Sequence, residues 1–175
     1  LVLIIGSCAI ATFGLLANST AVIIGAMIIA PLMLPIRGLA FGALIGNINL
    51  FRKGVIAVFL GTLLALLISC SIGWIVNLPS FGSEVLSRSK PNLLDLGIAV
   101  AAGCISGYAK VNSKISASVA GTAIAVALMP PICVIGLGLA KFNLSLSLGA
   151  TLLYLTNLLG ISLACMLTFL FTGHS

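Results

Sequence analysis

Gly25-Ala-Met-Ile-Ile-Ala-Pro-Leu-Met-Leu-Pro-Ile occupies residues 25–36, and Gly121-Thr-Ala-Ile-Ala-Val-Ala-Leu-Met-Pro-Pro-Ile occupies residues 121–132. At a constant offset of 96 residues, Gly25 pairs with Gly121, Ile28 with Ile124, Leu32 with Leu128, Met33 with Met129, Pro35 with Pro131 and Ile36 with Ile132. The pairing reaches back to Cys8 with Cys104 and Ala21 with Ala117, and onward to Gly42 with Gly138 and Asn47 with Asn143. One apolar unit thus reads as present twice, each time with prolines near its middle. A duplicated membrane unit whose helix is interrupted at mid-depth is a transporter design. The interruption is therefore the first place to look for a site.

Composition says what surrounds this unit. The chain is 61% hydrophobic and 6% charged, with a mean hydropathy of +1.36. A soluble domain carries about 25% charged residues, so the expected solvent is a lipid bilayer. The net charge of +6 comes from eight Lys and Arg against two acids, Glu84 and Asp95. Most of these cations fall between apolar segments, where they orient a membrane protein and meet headgroups rather than nucleic acid. Five cysteines (8, 70, 104, 133 and 165) are scattered without any Cys-x-x-Cys, and the single histidine is His174. That pattern argues for buried free thiols and against a metal or haem cofactor. No phosphate loop, nucleophile elbow or zinc-protease motif is present, so an enzyme is not expected.

A helix needs about 20 residues to cross the hydrocarbon layer. Six segments meet or approach this: 1–17, 20–46, 54–77, 93–109, 115–140 and 146–172. The expected fold is an all-α polytopic membrane protein of about six transmembrane helices. They form two three-helix repeats, 1–77 and 93–175, joined by a loop over 78–92. Three crossings per copy force the second copy to enter from the opposite side, so the repeats are expected to be inverted. If 20–46 is instead a re-entrant hairpin, the copies are parallel. Lys and Arg are nearly balanced between the two sides and barely vote on orientation. Asn92 and Asp95 behind Pro91 mark a helix start, with a carboxylate at the positive end of the helix.

The second helix of each repeat is expected to break at its prolines. A proline has no N–H, and its ring displaces the carbonyl four residues earlier. Pro31 and Pro35 release the carbonyls of Met27 and Pro31; Pro130 and Pro131 release those of Val126 and Ala127. In lipid an unsatisfied group costs several kcal/mol, so these carbonyls must face protein, water or a ligand. Freed carbonyls suit cations, and the start of the following half-helix suits anions. Repair of the kink by a neighbouring helix is the plainer alternative. Arg37, in the first turn after the break and near mid-membrane, is a costly charge. A bound anion, an ion pair with Asp95, and snorkelling to a headgroup each account for it. The candidate solute-binding set is therefore Met27, Pro31, Pro35, Arg37, Val126, Ala127, Pro130 and Pro131. Asn18, Ser19, Thr20, Ser116, Thr122, Asn157 and Ser162 line a path or hydrogen-bond between helices.

Small residues recur every four positions at Gly38, Gly42 and Gly46, at Ala65, Ser69 and Gly73, and at Gly103 and Gly107. They serve either packing within one chain or a homo-oligomeric seam.

The run Asn18-Ser-Thr-Ala-Val-Ile-Ile-Gly-Ala-Met-Ile-Ile-Ala-Pro-Leu-Met-Leu-Pro-Ile, with Ala127-Leu-Met-Pro-Pro in the second copy, resembles the bacterial membrane family called domain of unknown function 389. The resemblance covers nearly the whole chain. It implies a polytopic protein of the bacterial inner (plasma) membrane, or of the thylakoid membrane in a cyanobacterium, often with a soluble N-terminal extension. It implies no substrate and no active residues. The expected function is a transporter or channel for a small solute, an anion for preference. The alternatives are an accessory or structural subunit of a larger membrane assembly and a membrane sensor.

Overall fold

The computed structural model describes residues 2–77, 79–111 and 117–172. Of the residues weighed above, Ser116 and His174 lie outside the described residues. The chain is all-helical, with eight helices among the described residues. They are α1 (Val2–Leu16), α2 (Thr20–Ile29), α3 (Met33–Leu44), α4 (Ile48–Ile75), α5 (Ser83–Ser87), α6 (Leu93–Val111), α7 (Ala117–Ala140) and α8 (Leu144–Phe171).

Four of these, α4, α6, α7 and α8, are long and apolar enough to cross a membrane, and α2 with α3 makes a fifth if the bent pair is one span. The apolar α1 has 15 residues, about 22 Å at 1.5 Å per residue, short of a ~30 Å hydrocarbon layer. The six expected spans are therefore four or five by length and composition. Ile56, Phe59, Leu60, Leu63 and Leu67 of α4 and Leu152, Leu155, Leu159 and Leu163 of α8 point outward. Such a continuous apolar exterior is stable against lipid and not against water.

α7 is the centre. It packs on every other long helix, and 83% of its apolar window is buried against 11% for α4. Ile124, Leu128, Met129, Cys133, Val134 and Leu137 fill its surroundings.

The two proline segments fold differently. α2 ends at Ile29, Ala30 is extended (φ −66°, ψ 120°), and α3 departs at 58° to α2. A residue before proline avoids the helical region, and Ala30 obeys. Pro35 falls in the first turn of α3, where its missing N–H is one of the orphan donors anyway. A 58° bend carries the chain onward, whereas a hairpin would turn it back. The expected break in the second unit is not there: α7 runs as one helix through Pro130 and Pro131. Met129 and Pro130 stay helical against the local preference because both lie in the buried centre of the molecule, where tertiary packing overrides it.

The turns after these helices are built alike. Gly46 (φ 67°) precedes the N-cap Asn47, whose side chain accepts from Leu50 N at 3.1 Å; Phe142 (φ 54°) precedes the N-cap Asn143, whose side chain accepts from Leu146 N at 3.1 Å. The N–H of Asn47 reaches Gly42 O, and that of Asn143 reaches Gly138 O, both at 2.9 Å. A left-handed residue followed by an Asn cap closes each helix and opens the next within three residues.

Several of the small residues serve packing within the chain. A Cβ on Gly73 would meet Leu137 at 2.9 Å and Ala140 at 3.0 Å; one on Gly107 would meet Thr168 at 2.8 Å. One on Gly103 would collide with the Ile161 carbonyl and with Ala164 at 2.8 Å, whereas Gly97, on the same helix, has open space. Gly103→Ala is therefore expected to lower stability by about 1–3 kcal/mol through overpacking of α6 on α8. Gly97→Ala should be neutral or mildly stabilising through helix propensity. Unfolding of both variants in mixed micelles makes the comparison, and equal stabilities would refute the close α6–α8 approach.

Candidate functional site

Pro131 cannot donate to the carbonyl of Ala127, four residues back in α7. The missing donor comes from α8: Asn157 Nδ2 donates to Ala127 O at 2.9 Å. Asn157 is buried. Because its amide nitrogen is committed to a carbonyl, its Oδ1 is turned the other way, and that oxygen is buried with no hydrogen-bond partner among the described residues. A buried acceptor of this kind asks for a donor from water or solute.

A cavity of about 250 Å³ lies beside it, walled by Met27 of α2, by Val126, Ala127 and Pro131 of α7, and by Leu153 and Asn157 of α8. Ser87, Arg88, Asn92, Asp95 and Ile98 complete its lining. Four of the residues expected from sequence (Met27, Val126, Ala127 and Pro131) are thus brought together. Pro130 is buried next to them. Pro31 and Pro35 lie at the α2–α3 break outside this lining, and Arg37 lines a different cavity with Lys110.

The polar part of the lining is held by the connecting segment. Asn18 Oδ1, in the α1–α2 turn, accepts from Glu84 N at 2.9 Å and from Ser83 Oγ at 3.3 Å. Thr20 Oγ1 donates to Glu84 Oε1 at 2.8 Å, and Arg88 Nη1 donates to Glu84 Oε2 at 2.7 Å. Gly82 is required at the join, since a Cβ there would lie 2.6 Å from Asn18 Oδ1. The segment expected to be a plain loop is therefore a docked cap on one end of the bundle. Lys141 touches Asn77, which puts the α7–α8 turn at this same end.

Asp95 and Asn92 form a reciprocal cap at the start of α6, Asp95 N to Asn92 Oδ1 at 2.9 Å and Asn92 N to Asp95 Oδ2 at 3.2 Å. The helix start read from Pro91, Asn92 and Asp95 is where it was expected. The Arg37–Asp95 ion pair is not formed; the one ion pair among the described residues joins Glu84 to Arg88. No group of three or more metal-ligating side chains occurs among the described residues.

Sequence reasoning placed Asn157 among ordinary polar candidates and did not single it out. The signal was available in part: an Asn inside an apolar span needs a partner, and Pro131 leaves a carbonyl needing a donor. Nothing in the sequence says that the two meet.

Residues 27–163 match the family described as Domain of unknown function (DUF389), and the chain belongs to that family. Over 175 residues it is 28% identical to the uncharacterized protein MJ0678 of Methanocaldococcus jannaschii, covering 100% of this chain and 54% of the relative. The chain thus spans about half the length of that relative. No solved structure matches it.

Two outcomes test this geometry. Asn157→Leu is expected to cost about 1–3 kcal/mol by stranding the Ala127 carbonyl. In a Pro131→Ala background the cost should shrink, because residue 131 regains an N–H for that carbonyl. Equal costs in both backgrounds, read from unfolding in mixed micelles, would refute the cap. The second outcome concerns pH. The Thr20 hydroxyl, and after it Arg88, hold the Glu84 carboxyl below its ordinary 4.5. The unfolded chain binds that proton more readily, so the docking contact is complete above the ordinary value and fades as pH falls through the lower, folded one. The protection of the α5 amides against hydrogen exchange, taken relative to their intrinsic rates at each pH, should fall under acid in the wild type. In Glu84→Gln that protection should be already low and insensitive to pH over that range.

Proposed function

We propose that this chain is an integral membrane transporter or channel for a small solute, with its site at the cavity beside Asn157. The observation that carries the reading is a proline-released carbonyl held by a buried amide whose other end has no partner among the described residues, in the wall of a cavity. Irregular backbone polarity at membrane depth persists where it lines a cavity or is buried in protein, and Met27, Val126 and Ala127 give this cavity walls from two helices.

The same proposal includes an inverted duplication. In support, α4 and α8 have 28 residues each and begin 96 residues apart, and the turns that precede them share caps and hydrogen bonds. Successive helices joined by short turns alternate in direction, so a helix of 2–75 and its counterpart 96 residues on run oppositely. The duplication is unequal in chemistry: one unit has a broken helix and the other a continuous, capped one. We place the protein in the bacterial inner membrane.

The accessory-subunit reading keeps one observation in its favour. α4 carries a broad exposed apolar face, and Trp74 and Ile75 at its end are 78% and 77% exposed, a surface that another polypeptide would cover as readily as lipid.

Water access separates the two readings. In a chain whose five native cysteines are replaced, Ile98→Cys and Val126→Cys should react with a water-soluble maleimide, while Leu63→Cys on the lipid face should not. Ile98→Trp, at a partly exposed position, should reduce solute flux into proteoliposomes to the level of protein-free vesicles. The flux screen spans small anions and small cations. Cavity positions as unreactive as Leu63→Cys, with no flux above background for any solute, would favour the accessory role.

A further inference from the structure

Cys8 of α1 and Cys133 of α7 are 125 positions apart in the chain, yet their sulfurs meet at 3.6 Å. Both thiols are free and both residues are fully buried. This is the one sulfur–sulfur contact among the described residues. The groups around it hold the sulfurs in place. The Cys8 thiol donates to Ala65 O of α4 at 3.2 Å, and Cys133 Sγ lies 3.8 Å from the Cys8 carbonyl. That carbonyl also accepts from Thr12 Oγ1 at 2.7 Å, and Ala65 O accepts from Ser69 Oγ at 2.9 Å. Three helices thus converge on two thiols.

A buried cysteine by itself is a small apolar filler. Two in contact have a reaction open to them that neither has alone. An S–S bond is about 2.05 Å long, so the sulfurs need to close by about 1.5 Å. Helix α1 can supply that movement. It rests on α2, α4 and α7 by one face, with Ser7, Cys8, Ala11, Thr12 and Leu15 buried. Leu3, Ile5, Ile10 and Phe13 on its other face are exposed. An edge helix of this kind opens at lower cost than the whole molecule. While it is docked the thiols are sealed and inert; opening uncovers them, and closing returns them to contact.

We propose that Cys8 and Cys133 are a peroxide-oxidised thiol pair whose disulfide fastens α1 to the central helix. With α1 lifted, one thiol attacks an oxygen of hydrogen peroxide as its thiolate. The O–O bond breaks, a sulfenic acid forms, and the departing hydroxide takes up the thiol proton as water. When α1 closes, the second thiol attacks the sulfenic sulfur, the S–S bond forms and a second water leaves. One peroxide is reduced and two thiols are oxidised, so no further reactant enters. The bond ties α1, and through the short turn after it α2, to the helix that carries Val126, Ala127 and Pro131. Met27 of α2 and those three residues wall the Asn157 cavity, so the bond limits how far the walls part. The crosslink is read by mass and exchange, and it stands whether or not the cavity passes solute.

The test uses the whole chain in nanodiscs with Cys70→Ser, Cys104→Ser and Cys165→Ser, which leaves the pair alone. After hydrogen peroxide the chain is unfolded and alkylated with N-ethylmaleimide. Two adducts are expected before treatment, none after it and two again after a phosphine reductant, with the treated chain lighter by two hydrogens. Protection of the α1 amides against exchange should rise about tenfold on oxidation and fall back on reduction. Cys8→Ser in the same background should gain no such protection. Two adducts persisting at a peroxide dose that oxidises both thiols of the unfolded chain, or sulfinic acids without a bond, overturn the proposal. Where the triple variant fails to fold, peptide mapping of the peroxide-treated wild type gives the reading. A peptide linked through residues 8 and 133 supports the pair; its absence, or linkage to Cys70, Cys104 or Cys165 instead, overturns it.

Discussion

In an apolar surrounding a backbone carbonyl has no water to fall back on, and this molecule is arranged around that constraint. Pro131 removes a donor from the most buried helix, and Asn157 on α8 replaces it at 2.9 Å. The replacement lets α7 continue as one helix through two adjacent prolines and so remain the element on which every other long helix packs. It also fixes the direction of the amide, and with it a buried acceptor that has no partner among the described residues. Structure and candidate chemistry thus share a single hydrogen bond. An uncapped Ala127 carbonyl would have been relieved by a kink, as the first proline segment is, and the central helix would not be one helix.

Charge is distributed as economically as hydrogen bonding. Both carboxylates serve the end at which α5 docks, one tying the connecting segment to the α1–α2 turn and the other capping α6. The opposite end keeps Arg37 and Lys110 in one recess. The two ends therefore differ in kind. At one, a mixed-sign lining of Arg88 and Asp95 leads to neutral polar groups; at the other, positive charge is concentrated over aromatic rings. A membrane protein with this polarity presents different chemistry to its two aqueous faces even though its halves are alike in spacing.

Much of this was legible before any coordinates. Apolar runs of about 20 residues identify membrane helices because lipid admits little else, and four of those expected are present, with the 20–46 segment as the bent fifth. Pro91, Asn92 and Asp95 announced the start of α6 through cap chemistry that is local and so readable. Met27, Val126, Ala127 and Pro131 were singled out by proline stereochemistry alone, and they meet at one cavity. Arg37 was read as an anomalous charge near the break, but its companion Lys110 lies 73 positions away. No local pattern links them. The docked α5 was likewise hidden, since Asn18 and Glu84 look like ordinary loop residues until they are seen bonded.

The sequence by itself determined the class of protein, the 96-residue spacing of its apolar units, and which backbone groups lose their helical partners. These follow from hydropathy and from the covalent structure of proline, and both act within a few residues. Only the tertiary structure decided which proline segment breaks and which runs on, because that choice depends on whether another helix delivers a donor at the right height. It also separated Arg37 from the Asn157 cavity and joined it to Lys110. Side chains far apart in the chain become neighbours through packing, and packing is a property of the whole bundle that no single segment encodes.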